Sequence, residues 1–319
     1  MRLLDIENLT VSFTQHEGLV QAVRGVSLSL EAGESLGIVG ESGSGKSVTC
    51  MAALRLLREP PARITADKLD LCGTDMTRAS RKDLSAIRGS AAAMVFQDPM
   101  SAFDPVFSIG HQITETIRTH RAVSAAAARA EAEALLTRVE IRNPASVLAS
   151  YPHQLSGGML QRSMIAMALS CRPRLLFADE PTTALDVTVQ AQILQLIKDL
   201  QAEIGMGLIM VTHDLGVVAE TVDRVVVMYG GRVMEQAPVQ ALFDTPAHPY
   251  TKALLHSIPG QHPGKRRLSE IAGASPDPAQ MPGGCPFHPR CPRAIARCST
   301  DTPPLILTDT SALACWNPA

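Results

Sequence analysis

The segment Gly40-Glu41-Ser42-Gly43-Ser44-Gly45-Lys46-Ser47 fits the spacing G-x-x-x-x-G-K-S/T. Its glycines let the backbone wrap an anion so that successive N–H groups and a following helix N-terminus all point at phosphate oxygens. In that cradle Lys46 would bridge the β- and γ-phosphates of a nucleotide, and the Ser47 hydroxyl would hold Mg²⁺. Further along, Leu175-Leu176-Phe177-Ala178-Asp179-Glu180 is an apolar run that ends in two carboxylates. Asp179 is placed to reach the Mg²⁺ shell and Glu180 to polarise an attacking water. Phosphoryl transfer needs both tasks done, because its catalysis is mostly positioning and charge neutralisation. His213, in Val211-Thr212-His213-Asp214, ends the next apolar run, where it would contact a γ-phosphate and sense its loss.

Such groups must be carried to one place by regular elements. Ser35 to Val39 reads as a short buried strand running into the glycine loop, and Ser47 to Leu57 as the helix after it, stopped by Pro60-Pro61. Leu3 to Phe13 and Val23 to Leu30 are strand-like, the latter with Val26, Leu28 and Leu30 alternating with serine. Ile109 to His120 and the alanine-rich Ser124 to Val139 read as helices, so roughly residues 98–160 form a helical insert. Strands return at Leu175 to Ala178, Leu208 to Val211 and Val225 to Tyr229. A helix over Val187–Ile204, with Ile193, Ile197, Leu200 and Ile204 on one face, separates the first two. Strand–helix–strand alternation implies a parallel sheet with right-handed crossovers. Gly230-Gly231 signals a two-residue hairpin into Arg232–Glu235.

Composition sets outer limits. Hydrophobic residues make up 45% and charged residues 19% of 319, which is globular rather than disordered. The formal net charge of −2 offers no basic excess for nucleic acid. The apolar start is interrupted by Asp5 and Glu7, unlike a signal or transit peptide. No stretch reaches the roughly 18 apolar residues that span a bilayer. A cytosolic location is expected, with any membrane attachment made through a partner.

Residues 155–162, Leu155-Ser156-Gly157-Gly158-Met159-Leu160-Gln161-Arg162, resemble the signature of ABC ATPases, L-S-G-G-Q in its common form. Ser156, Gly157 and Gly158 would make a second anion-binding helix start. Two cradles in one chain make sense if the second serves the nucleotide of a facing subunit, with two ATP molecules sandwiched in a head-to-tail dimer. The resemblance implies further roles. Gln97, in Val95-Phe96-Gln97-Asp98-Pro99, matches the glutamine that touches Mg²⁺ and links to the helical insert. Asp186, in Ala184-Leu185-Asp186, matches the loop that crosses the dimer interface. Phe13 stands either for the aromatic that stacks on adenine or for an ordinary core residue.

Lys46-Ser47-Val48, Tyr151-Pro152-His153-Gln154-Leu155, the run from Asp179 to Gln190 and His248-Pro249-Tyr250-Thr251 are similar to the oligopeptide/dipeptide importer branch. Val48 and Met159 favour its D-type subunit over the F-type. Leu160 and Asp104 depart from the pattern, where Arg and Asn are usual.

Beyond Gln236 the chain becomes dense in Pro and Gly and cannot easily build its own core. It should dock on the main domain, be held by a metal centre, or both. Four of the seven cysteines (Cys285, Cys291, Cys298 and Cys315) fall there, while Cys50, Cys72 and Cys171 sit among apolar neighbours as small core residues. Spacings of five and six intervening residues are loose for a zinc knuckle, whereas Cys₄ iron–sulfur ligation tolerates them. The residues alone leave metal or packed thiols open. The resemblance points to a [4Fe-4S] cluster, expected to lie far from the ATP site. His262 and His288 read as surface histidines.

The expected fold is α/β, a P-loop ABC ATPase with a mixed sheet. It comprises a nucleotide-binding domain over residues 1–235 and a small C-terminal extension over 236–319. The expected activity is ATP hydrolysis driving import of oligopeptides, dipeptides or related solutes. Expected partners are a second ABC ATPase subunit (an identical chain or an F-type paralogue), two transmembrane permeases and an extracytoplasmic binding protein, with no nucleic acid. That places the chain at the cytoplasmic face of the membrane. A soluble ABC ATPase of DNA repair or translation would carry tandem cassettes, zinc insertions or a basic surface. A non-hydrolysing regulator would lack Glu180 or His213.

Overall fold

The computed structural model describes residues 1–15, 18–182, 187–257, 271–308 and 310–319. The chain opens with two long antiparallel strands, β1 (Arg2–Gln15) and β2 (Gly18–Glu31), followed by β3 (Ser35–Val39). Short strands β4 (Ala62–Thr65), β5 (Lys68–Leu71) and β6 (Thr74–Asp75) come next, then β7 (Ala92–Val95), β8 (Leu175–Asp179) and β9 (Gly207–Val211). The last are β10 (Arg224–Tyr229), β11 (Arg232–Pro238), β12 (Ile306–Leu307) and β13 (Ala312–Leu313).

They form two sheets. One is antiparallel, ordered β2-β1-β5-β6, with β4 also paired to β1. The other is mixed, ordered β12-β13-β11-β10-β3-β9-β8-β7, and β10, β3, β9, β8 and β7 are mutually parallel. The glycine pair 230–231 turns β10 into antiparallel β11, with both residues at positive φ, a backbone region that glycine adopts without a Cβ clash.

Strand periodicity builds two cores from one sheet. Leu175 and Phe177 face the layer formed with the antiparallel sheet, while Leu176 and Ala178 face the helical side. The same alternation sends Ile209 and Val211 to the first core and Leu208 and Met210 to the second. These strands are buried on both faces, which is why they read as unbroken apolar runs. Truncating a side chain as enclosed as Phe177 would cost about 3–5 kcal/mol.

The helical insert is as expected in kind: helices Ile109–His120, Ala125–Arg138 and Pro144–Ala149. Ser108 and Ser124 cap the first two by accepting the N–H groups of His111 and Ala127. Ile109, Ile113 and Ile117 form the buried stripe of one helix, against Ala128, Ala132 and Leu136 of the next.

The C-terminal extension docks on the main body. Tyr250, Leu255, Cys285, Phe287 and Cys298 belong to the same core as the helical side of the sheet. Glu235 and Gln236 pair with Leu313 and Ala312, so the boundary expected at residue 235 falls inside β11. The chain end is fastened by the Arg297 guanidinium lying 3.5 Å from the Trp316 ring centroid and by the indole N–H donating to the Asp301 carbonyl at 2.9 Å. No helix among the described residues is long and apolar enough to cross a membrane.

Candidate active site

Four loops leave the parallel strands at their carboxyl ends, the edge where open α/β sheets bind ligands. β3 leads into the glycine loop, β7 to Gln97, β8 to Asp179 and Glu180, and β9 to His213. A cavity of about 270 Å³ opens among them, lined by Ser42, Gly43, Gly45, Lys46, Ser47, Val48, Gln97, Glu180 and His213. Residues separated by up to 171 positions in the chain (Ser42 to His213) thus face one space.

The loop needs its glycines. Gly40 has φ +148, and a Cβ there would sit 2.1 Å from the Met228 carbonyl oxygen; at Gly45, φ +96, it would sit 2.5 Å from the carbonyl oxygen of Ala22. The Lys46 ammonium donates to the carbonyls of Gly40 at 2.8 Å and Glu41 at 2.9 Å. Burial lowers its pKa, opposed by the negative charges of Glu180, Asp179 and Glu41. The Ser47 hydroxyl donates to Asp179 Oδ1 at 2.9 Å, bringing together the two oxygens expected to share Mg²⁺. Hard oxygen donors of this kind suit that cation. Burial raises the Asp179 pKa, with the Ser47 hydrogen bond opposing it, Glu180 adding to the rise and Lys46 opposing.

Glu180 is the centre of the polar network. Its backbone takes a left-handed conformation, φ 46, rare outside glycine and characteristic of constrained functional positions. Its N–H donates to the Val211 carbonyl at 2.8 Å, tying β8's end to β9. One carboxylate oxygen accepts from Gln97 Nε2 at 2.9 Å, and the other lies 3.0 Å from His213 Nδ1. The Glu180 side chain is largely shielded while His213 stands in solvent at the rim.

The signature is elsewhere on the molecule. Ser156 caps the helix Gly157–Leu169, its hydroxyl accepting from the Met159 N–H. Ser156, Gly157 and Met159 are exposed, Gly158 is half-buried, and none of them lines the phosphate cavity. A Cβ at Gly157 would meet nothing within 4 Å. Gln161, one turn on, is buried and donates to the Pro181 carbonyl at 2.5 Å, linking the signature helix to the residue after Glu180. Asp186 lies outside the described residues. Phe13 sits half-buried on β1 opposite Val20 and Ala62, packed against the first core and outside the cavity lining.

The cysteine segment departs from expectation. It is not remote from the phosphate loop: Arg290, the residue before Cys291, forms a bidentate ion pair with Glu41, at 2.7 and 3.1 Å. The Tyr250 hydroxyl accepts the Glu41 backbone N–H at 2.9 Å. Neither contact has a signal in local sequence, since 249 positions separate Arg290 from Glu41. Among the described residues no group of three or more His, Cys, Asp or Glu side chains converges closely enough to hold a single metal ion. Burial pushes Cys285 up to about 11, the Phe287 backbone opposes, and Cys298, Cys315 and Cys291 add to the rise. Burial likewise raises Cys291 and Cys315.

Comparison with known proteins agrees with this geometry. Residues 23–183 match the ABC transporter family, and residues 234–298 match the oligopeptide/dipeptide transporter C-terminal region. A probable peptide ABC transporter ATP-binding protein of Sinorhizobium fredii is 48% identical over 316 residues, 98% of this chain and 94% of that one. The dipeptide transport ATP-binding protein DppD of Escherichia coli is 46% identical over 319 residues, 100% of this chain and 97% of that one. Among solved structures, a dimeric ATP-binding cassette in a post-hydrolysis state with ADP and Pi is 28% identical. It matches with a TM-score of 0.65 over 74% of this chain and 98% of its own.

Proposed function

Because the chain belongs to the ABC transporter ATP-binding family, we propose that it hydrolyses ATP to drive import of short peptides or related solutes through partner permeases. The observation that carries the catalytic part is Glu180, held between Gln97 and His213 at the mouth of the Lys46 loop. In this reading the glycine loop binds the triphosphate, and Lys46 leaves its carbonyl partners for the β- and γ-phosphates. Glu180 orients the attacking water, and His213 contacts the γ-phosphate. Ser47, Asp179 and Gln97 would hold Mg²⁺, which supplies charge neutralisation when bound.

The exposed helix start at Ser156 serves the nucleotide of a facing ATPase subunit, an identical chain or an F-type paralogue. Its separation from the chain's own cavity supports that division of labour. Asp186 would lie at the same interface, and Phe13 would stack on adenine. The helical insert works against two permeases at the cytoplasmic face of the membrane, and an extracytoplasmic binding protein delivers the cargo. The peptide cargo rests on the relatives' names and on the C-terminal family match. Cys285, Cys291, Cys298 and Cys315 would hold a [4Fe-4S] cluster, a structural centre that cross-links a segment poor in hydrophobic periodicity. Cys285 and Cys298 share one core, with the Cys285 N–H donating to the Cys298 carbonyl at 2.8 Å and Cys291 packed against that core, which supports it.

The test is reconstitution with the permeases and binding protein in proteoliposomes. ATP-dependent uptake of labelled dipeptide, lost in Lys46→Ala, is the expected result. ATP turnover without peptide transport, across a panel of peptides, would overturn the cargo assignment while leaving the ATPase intact.

A further inference from the structure

Arg290 is placed where the C-terminal extension and the phosphate loop meet. Its side chain is almost fully enclosed, with 7% exposed, and each of its nitrogens is used. Nη1 and Nη2 face the Glu41 carboxylate; Nη1 also donates to the Tyr229 hydroxyl, Nη2 to the Ile271 carbonyl and Nε to the Ala272 carbonyl, each at 3.0 Å. Phe287 anchors the same turn, with its ring 5.3 Å from Tyr229 and 5.1 Å from Tyr250. Glu41 in turn is gripped at three points: its carboxylate by Arg290, its N–H by the Tyr250 hydroxyl, and its carbonyl by Lys46. Glu41 is the second residue of the cradle, between Gly40 and Ser42, so fixing it fixes where the following backbone N–H groups point.

We infer that Arg290 is a positioning residue for the phosphate loop, through which the C-terminal extension sets ATP affinity. The planar fork of arginine matters because it satisfies a carboxylate and two carbonyls at once, which a lysine cannot do. The inference rests on the reading that ATP binds this loop. It gives the extension, through a contact 249 positions from Glu41, a part in nucleotide binding.

The full chain titrated with fluorescent mant-ATP tests it. Arg290→Gln should weaken binding about tenfold, the scale of losing charge-assisted hydrogen bonds that order a site. Glu41→Gln removes the same pair from the other side without touching the extension, and should weaken binding similarly. The double variant should bind no worse than either single one, and Arg290→Lys should recover only part of the loss. In the assembled transporter Arg290→Gln should raise KM for ATP while kcat stays within about twofold, a split that general destabilisation would not produce. Unchanged affinity in both single variants, or fully additive losses in the double, would overturn the inference. Lys46→Ala serves as the separate control: if it binds mant-ATP normally, the loop is not the ATP site and the underlying reading fails instead.

Discussion

Gln97 Nε2 donates to Glu180 Oε2 at 2.9 Å, joining two side chains 83 positions apart in the chain. Gln97 stands at the entrance to the helical insert, and Glu180 directly follows Asp179 at the end of β8. That hydrogen bond links the start of the insert to the polar network at the end of β8.

Glu180→Gln keeps the shape and an acceptor for Gln97 but removes the negative charge beside His213. ATP binding should persist, and hydrolysis should fall by at least about 10²-fold, the scale of losing a positioned general base. A closed, ATP-loaded dimer should accumulate, visible by size-exclusion chromatography with ATP. Near-normal turnover in the assembled transporter would remove Glu180 from the catalytic role.

Ser156→Arg tests whether the signature acts on a facing subunit. Because Ser156 lies outside this chain's cavity, mant-ATP binding by the isolated chain should be nearly unchanged. ATPase of the assembled complex should be lost, as the arginine crowds the partner's γ-phosphate. Collapse of binding in the isolated chain is the result that sinks the assignment.

His248 gives a pH dependence with a definite sign. Burial pushes its pKa down from 6.5 to about 4, with the nearby Ala314 carbonyl opposing only in part. The unfolded chain therefore binds a proton at higher pH than the folded one. Between pH 6.5 and about 4 unfolding takes up that proton, so stability falls as the solution is acidified. The full loss is about 3 kcal/mol. The His248 Nδ1 caps its helix by accepting the Tyr250 N–H at 3.0 Å, a task asparagine can perform without titrating. Urea unfolding of His248→Asn should show a flatter acid limb between pH 7 and pH 5 than the parent. An identical limb would mean other groups govern acid lability.

The cysteine segment should yield brown protein when purified anaerobically, with iron and sulfide in near-equal amounts. Cys→Ser at Cys285, Cys291, Cys298 or Cys315 should bleach it and make the residues after 270 more sensitive to protease. Through Arg290, next to Cys291, the same change should also weaken mant-ATP binding. Colourless protein with stoichiometric zinc would replace iron–sulfur with zinc, and metal-free protein would leave four packed thiols.

The chemistry of the site was written locally. The glycine loop, the strand ending in Asp179 and Glu180, the strand before His213 and the serine-capped signature each occupy contiguous residues. Each uses an arrangement that backbone sterics and helix capping alone can dictate. Buried strands also announced themselves, because the parallel strands have apolar neighbours on both faces. Short strands were silent: β5 and β6 are held by pairing to β1 and to each other, and Ala92–Val95 carries two alanines with little intrinsic strand preference. The tertiary structure alone decided what lies across from what. That Glu180 sits between Gln97 and His213 follows from strand order, which sequence periodicity does not encode. That Arg290 reaches back to Glu41 depends on the extension docking through Phe287 and Tyr250 against Tyr229, aromatic contacts whose partners no local pattern names. An ion pair spanning 249 positions is set by that tertiary docking, not by any local pattern.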